Sequence, residues 1–183
     1  MVGSDVTPWF IATERFGPDN GDAWNNYIGW SGLTQLREVV SLDGMLCPTL
    51  LPDIRDDYWP HIVNENFLLH YFLDFDFLFK QVSGIDRKNV LCVFRDPGER
   101  PVAPSVARFE FLGYDLVDLE GTVSALTNCG GFPGVFENAE LSSCGLLLEL
   151  ERAIEVTTRL RSLYPEERHA HCAVWAVFRW IGY

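Results

Sequence analysis

The chain has 183 residues, and its hydrophobic share of 48% is typical of one globular domain with a single core. Its formal net charge of −12 argues against nucleic acid and anionic membranes as partners, since both require a clustered positive field. No apolar run reaches the roughly 20 residues of a membrane span, and Met1–Phe10 lack the pattern of a signal peptide. We therefore expect a cytoplasmic, single globular domain over residues 1–183, of undetermined oligomeric state.

The first predicted elements are a strand and a helix, separated by an aromatic loop. Residues 6–14 favour a short strand, interrupted near its start by Pro8. The segment from Trp24 to Trp30 places three aromatic rings among Gly and Asn residues. Such rings either anchor a loop to the core, which is favoured because rings contribute most where they are buried, or form a small-molecule recognition surface. A helix is then predicted from Ser31, a suitable N-cap, through Val40.

Residues 66–83 fit both a helix and a strand. A helical period places Asp76 and Lys80 one turn apart, whereas strict alternation sets apolar residues against Asp74 and Asp76. The segment is longer than a usual strand, so a helix is preferred.

Two strands and a turn are predicted in the next part of the chain. Residues 90–94 are a compact apolar run, ended by the turn sequence Asp96-Pro97-Gly98. Residues 106–118 form the second strand, and the turn after Asp118 predicts an antiparallel hairpin with residues 122–127.

The C-terminal stretch predicts a long amphipathic helix followed by a buried strand. The helix covers residues 146–164 and ends at Pro165, with apolar residues at helical spacing. Residues 171–180 are apolar on both faces of the predicted strand, which is typical of a central strand covered by helices. The order of elements indicates an α+β domain with a mainly antiparallel sheet, the C-terminal strand central and helices packed on it.

The distribution of charge is more informative than its total. From Phe109 to Glu151 the chain has eight acidic residues and no Lys or Arg. Such a segment either forms a solvated surface that aids solubility or steers a cationic protein partner toward the domain. On the second interpretation the candidate binding residues are Glu110, Asp115, Asp118, Glu120, Glu137 and Glu140.

Metal and thiol chemistry have weaker support. His169 and His171 would lie on one side of a strand, a spacing that can present two imidazoles to Zn²⁺, but Cys172 would face the opposite side. Cys129, in a Gly-rich turn, could be a nucleophile with His169 or His171 as its base, yet its segment lacks the positive charge that lowers a thiol pKa. The cysteines are odd in number and widely spaced, which predicts core residues rather than disulfides.

The sequence contains no phosphate-binding loop, no dinucleotide-binding glycine pattern and no nucleophile elbow. We therefore expect a non-catalytic domain without a cofactor, whose acidic surface binds a basic protein; inhibitors and toxin-neutralising immunity proteins are analogous examples of that class. The alternatives are a small Cys/His-dependent enzyme or metal protein, and a small-molecule binder that uses the aromatic segment Trp24–Trp30.

Overall fold

The computed structural model describes residues 7–65, 69–128 and 131–182, and a six-stranded antiparallel sheet forms its centre. The strands are β1 (Trp9–Glu14), β2 (Ile62–Glu65), β3 (His70–Phe72), β4 (Lys88–Arg95), β5 (Arg108–Asp118) and β6 (Cys172–Gly182). The described α-helices are α1 (Asp22–Ser31), α2 (Phe75–Val82) and α3 (Leu150–Leu163). The order across the sheet is β2-β3-β1-β4-β6-β5. The predicted single α+β domain with an antiparallel sheet is confirmed.

Strand β6 is an internal strand that pairs with β4 on one side and β5 on the other. Val177 lies opposite Val93 of β4, and Val174 lies opposite Leu116 of β5. Both faces of β6 are buried from Cys172 to Phe178. The predicted central position of the C-terminal strand is therefore confirmed.

The two faces of the sheet are covered by different kinds of structure. On one face, all three α-helices contribute apolar side chains to the larger core, including Trp24, Leu78 and Val156. On the other face, a smaller core joins strand residues to irregular segments through residues such as Leu42 and Leu146. Irregular segments carry backbone polar groups that need partners when buried, so this second face depends on side-chain hydrogen bonds.

The structure divides the ambiguous segment 66–83 into a strand and a helix. Residues 66–68 lie outside the described part of the chain, β3 follows, and α2 begins only at Phe75. The Asp74 carboxylate accepts the backbone N–H of Phe77 at 3.0 Å and so caps the first turn of α2. The preference for helix is correct for residues 75–82 and wrong for β3, whose Phe72 pairs with Phe10 of β1.

The helix predicted from Ser31 is wrong, because Ser31 is the last residue of α1. Gly32 adopts φ 69° and its N–H bonds to the carbonyl of Ile28 at 3.0 Å, which ends the helix. The apolar residues that follow serve the core as an irregular segment, in which Val39 pairs with Phe16.

Helix α3 begins at Leu150, four residues later than predicted, because the preceding residues pair with β5. Leu147 and Tyr114 exchange backbone hydrogen bonds of 2.7 and 3.1 Å. This approach requires glycine at position 113, where φ is 142° and a Cβ atom would lie 2.6 Å from the carbonyl oxygen of Leu147. The predicted turn after Asp118 is present, but its pairing consists of the single bridge between Val117 and Ser124.

Candidate functional site

The six acidic residues predicted to form a binding surface lie in three different environments. Two are buried in the domain, two lie near opposite ends of β5, and two lie beside α3. The predicted set therefore does not form one continuous surface.

Asp115 is inaccessible to solvent, with an exposure of 0%. Its Oδ1 accepts hydrogen bonds from Ser124 Oγ at 2.6 Å and from its neighbour's amide, Leu116 N, at 2.9 Å. Its Oδ2 accepts from Ser41 Oγ at 2.7 Å and from Leu42 N at 2.9 Å. Burial raises the pKa of the Asp115 carboxyl, and the hydrogen bonds from Ser124 and Ser41 oppose this shift. Both oxygens are engaged inside the domain, so Asp115 is not a surface residue.

Asp43 is a second buried carboxylate, whose role the sequence pattern did not indicate. Its Oδ1 accepts the amides of Met45 and Leu46 at 2.8 and 3.0 Å. Its Oδ2 accepts Ser124 N at 2.9 Å and Asn128 Nδ2 at 2.8 Å. Ser124 thus bonds to both Asp43 and Asp115, and together these three residues form what we call the buried carboxylate network. The network fixes the loops of the second face to β5.

Asp118 is also buried, with an exposure of 2%. Its carboxylate accepts Thr122 N at 2.8 Å, which holds the turn after β5, and its Oδ2 lies 3.0 Å from His169 Nδ1. Burial removes Asp115 and Asp118 from the predicted binding surface, because neither carboxylate can contact a partner.

Glu110 and Glu120 are exposed but lie far from each other. Glu110 is near the start of β5 and Glu120 follows its end, so the two are separated by roughly 25 Å at the usual rise of a strand. Glu120 also forms an ion pair with Arg168. These two residues do not belong to a common patch.

Glu137 and Glu140 lie next to α3, because the preceding loop runs along that helix. Arg152 of α3 donates to both carboxylate oxygens of Glu140 at 2.6 and 2.9 Å and to the carbonyl of Val135 at 3.2 Å. Near the end of α3, Tyr164 Oη donates to the carbonyl of Pro133 at 2.8 Å. The carboxylates of this loop therefore lie near those of α3 itself.

The exposed residues at the beginning of α3 combine acidic and apolar side chains. Leu148 is 55% exposed and Ile154 is 48% exposed. The helical period places Ile154 beside Glu151 and away from the buried residues Ala153 and Val156. We define the α3 surface by the exposed side chains at the start of the helix: Leu148, Glu149, Glu151, Ile154 and Glu155. Exposed apolar side chains together with charged ones are the general composition of a protein-binding surface.

The histidines do not have the arrangement that strand alternation predicts. Residues 168–170 form a short 3₁₀ helix and β6 begins only at Cys172, so His169 and His171 both precede the strand. His169 contacts Asp118, whereas His171 Nε2 lies 2.7 Å from the carbonyl oxygen of Pro165. Among the residues that the structure describes, no three His, Cys, Asp or Glu side chains converge as a metal ion would require.

Cys129 lies outside the described residues, so its proposed role as a nucleophile has no structural counterpart here. The described cysteines are free thiols. Burial raises the pKa of Cys47, Cys92 and Cys172 to about 12, which keeps these thiols protonated at neutral pH.

The aromatic segment Trp24–Trp30 forms most of α1 rather than a loop. Trp24 and Tyr27 are both 7% exposed and pack against Phe16, with ring centroids 5.5 and 5.3 Å away. These two rings anchor α1 to the core, as favoured from the sequence, and only Trp30 is exposed, at 57%. The buried rings of Trp24 and Tyr27 therefore do not line an open binding pocket.

A cleft that no sequence pattern predicted lies between the end of β1 and two loops. Its lining includes Arg15, Arg37 and Arg87, which come from three separate parts of the chain. No local motif marks such a site, because only the fold brings these residues together.

No protein-family model, no curated protein and no solved structure matches the chain. Within the described residues, no helix has the length and apolar character needed to cross a bilayer.

Proposed function

We propose that this chain is a non-catalytic protein-binding domain whose α3 surface engages a basic partner. The observation that supports this proposal is the exposure of Leu148 and Ile154 beside several carboxylates. An apolar side chain on the outer face of a helix gains free energy when a partner covers it. The surrounding acidic residues would select a partner with the opposite charge.

The charges around the α3 surface support a basic partner rather than a neutral one. Arg152 contacts Glu140 at 2.6 Å and Glu155 at 2.8 Å, so its charge is already compensated. In the described part of the chain, Glu137, Glu149 and Glu151 have no ion-pair partner. Of these, the carboxylates of Glu149 and Glu151 lie beside the apolar residues in sequence and helical spacing, and they would attract Lys or Arg side chains.

The chemistry of the described residues favours binding over catalysis. The buried carboxylates bond to the fold, His169 is bonded to Asp118, and burial holds the Cys172 thiol in its protonated form. A nucleophile and a general base within reach of each other would have favoured an enzyme instead.

Affinity capture from a lysate of the source cells, with three purified forms of the chain as bait, tests the proposal. The wild type is compared with the double variant Glu149→Gln/Glu151→Gln and with Glu166→Gln/Glu167→Gln. The control pair is also exposed, removes the same charge and lies beyond the other end of α3. A specific partner is expected with the wild type and the control, and to be lost with the α3 variant.

Two further measurements make the result specific. The captured protein should carry a basic surface and should dissociate when the salt is raised from about 0.05 M to about 0.5 M, because screening weakens charge pairing. Substitution Ile154→Ser should also abolish capture. Equal capture by all baits, or no capture by any, would contradict the proposal.

A further inference from the structure

The cleft lined by the three arginines has the dimensions of a small-ligand site. Its volume is about 320 Å³, near the lower limit of roughly 300–1,000 Å³ for pockets that hold small molecules. We propose that this cleft, which we call the arginine cleft, binds a small molecule that carries a phosphate monoester. The proposal is independent of the α3 surface and of the function proposed for it.

The charge of the arginine cleft is opposite to that of the chain as a whole. The chain has a net charge of −12, yet the lining combines three arginines with the two acidic residues Asp19 and Glu38. Glu38 is already shared between Arg15, at 2.9 Å, and Arg179, so it does not compensate the other guanidinium groups of the cleft. Although burial opposes ionisation, the hydrogen bonds from Arg179 and Arg15 hold the pKa of Glu38 below its usual value.

The remaining two arginines of the cleft are largely uncompensated. Arg37 is exposed, and within the described part of the chain its guanidinium has neither an ion pair nor a hydrogen bond. Arg87 lies 3.9 Å from Asp19, whose side chain is 85% exposed, and it makes only a 3.4 Å contact with Asn20 Oδ1. Two guanidinium groups are therefore available for an anion.

Backbone hydrogen bonds fix the main chain from which these side chains extend. The carbonyl of Arg87 accepts Arg15 N at 3.1 Å, and the carbonyl of Phe16 accepts Val39 N at 2.8 Å. Arg37 N donates to the carbonyl of Ser143 at 2.9 Å. Arg87 itself adopts φ 53°, a left-handed conformation that non-glycine residues adopt rarely and that is enriched at functional sites. The backbone of the cleft is thus in place before a ligand arrives, and the arginine side chains that line the cleft extend from it.

The chemistry of the lining indicates a phosphate ester. Guanidinium groups match the geometry of phosphate and can donate two parallel hydrogen bonds to it. Phe16 adds an apolar wall that is supported from behind by Trp24 and Tyr27. The exposed Asp19 carboxylate at the rim can accept a hydrogen bond from a ligand hydroxyl group. A phosphorylated sugar meets all three features, whereas inorganic phosphate meets only the first.

Titration calorimetry of the full chain at low salt tests the proposal with glucose 6-phosphate, inorganic phosphate and glucose as probes. We expect glucose 6-phosphate to bind more tightly than inorganic phosphate and glucose not to bind. The variant Arg37→Gln should weaken binding at least about tenfold, the loss expected for a hydrogen bond to a charged group. Arg37→Lys, which keeps the charge but loses the planar donor pair, should have an intermediate affinity.

The control variant is Arg55→Gln, which removes the same charge from an exposed residue outside the cleft. Its affinity should equal that of the wild type, and circular dichroism should show that all variants are folded. Absence of binding of both phosphate probes to the wild type would overturn the proposal, as would equal weakening by Arg37→Gln and Arg55→Gln. Equal affinity for glucose 6-phosphate and inorganic phosphate would overturn the assignment to an ester.

Discussion

The acidic residues between positions 109 and 151 form two groups with different surroundings. Asp115 lies inside the domain and accepts hydrogen bonds from neutral hydroxyl and amide groups. Glu140 lies at the surface and pairs with a cation, Arg152, while Glu151 faces solvent. Acidic residues from the same segment of the sequence thus have two separate roles. The buried carboxylates hold loops against the sheet, and the exposed ones determine the surface charge.

Asp115 and Glu140 also differ in the direction of their pKa shifts. Burial raises the pKa of Asp115. The hydrogen bond from Arg152 lowers the pKa of Glu140 below its usual value. Protonation therefore has opposite effects on these two residues, because it favours the folded state at Asp115 and disfavours it at Glu140.

The largest effect on stability is expected from Asp115→Asn. Each carboxylate oxygen of Asp115 accepts a backbone N–H, from Leu42 or from Leu116, so the amide NH₂ group faces another donor in either orientation. The expected loss in free energy of unfolding is about 2 kcal/mol, measured by urea denaturation. Removal of the buried charge offsets part of the lost hydrogen bonding, which is why the loss is not larger.

The matched control is Glu110→Gln, which makes the same chemical change at an exposed position of the same strand. Its free energy of unfolding should lie within about 0.5 kcal/mol of the wild type. Equal losses in the two variants would show that buried and exposed carboxylates do not differ as described. If Asp115→Asn fails to fold, Ser124→Ala removes one donor to Asp115 and should have a smaller loss of about 1 kcal/mol.

The position of Asp115 inside the domain could in part have been predicted. Residues 106–118 were expected to form a strand, and alternation puts Asp115 on the same side as Val117, which packs in the smaller core. Its hydrogen-bond partners could not have been predicted, because Ser41 and Ser124 lie in irregular segments 74 and 9 residues away. The density of charge along the sequence shows that acidic residues are present, but it does not show which of them are buried and which are exposed.

The regular elements with long apolar patterns were the most predictable. Strand β6 is buried on both faces, and its pattern alone indicated an internal strand. Helix α1 was missed because Asn and Gly residues are poor helix formers, yet Trp24 and Tyr27 anchor it through tertiary contacts. For the α3 surface, apolar residues at helical spacing predicted the helix, but the same spacing would put Ile154 on its apolar face. The position of the neighbouring core, rather than helical spacing alone, leaves Ile154 exposed.

An intermediate effect is expected from Glu140→Gln, and it should depend on pH. At neutral pH, loss of the ion pair with the partly buried Arg152 should lower the free energy of unfolding by about 1 kcal/mol. The folded-state pKa of Glu140 is lowered, so its contribution is present above the unfolded-state pKa of about 4.3. That contribution is lost as the pH falls through the folded-state value.

Urea denaturation of the wild type and Glu140→Gln at several pH values between about 7 and about 3 measures this dependence. The difference between the two proteins should decrease as the pH falls, and the contribution of Asp115 cancels because both proteins contain it. A difference that stays constant with pH would mean that the variant loses packing rather than an ion pair.

The smallest effect on stability is expected from Glu149→Gln/Glu151→Gln. Both side chains are exposed at the start of α3, where the helix dipole favours negative charge, but repulsion between Glu151 and Glu155, one turn apart, opposes that gain. The net change in free energy of unfolding should be within about 0.5 kcal/mol, measured by urea denaturation at neutral pH. A larger loss would place these residues among the structural carboxylates. With stability unchanged, any loss of a partner in this variant is due to the surface itself, because the folded population is the same.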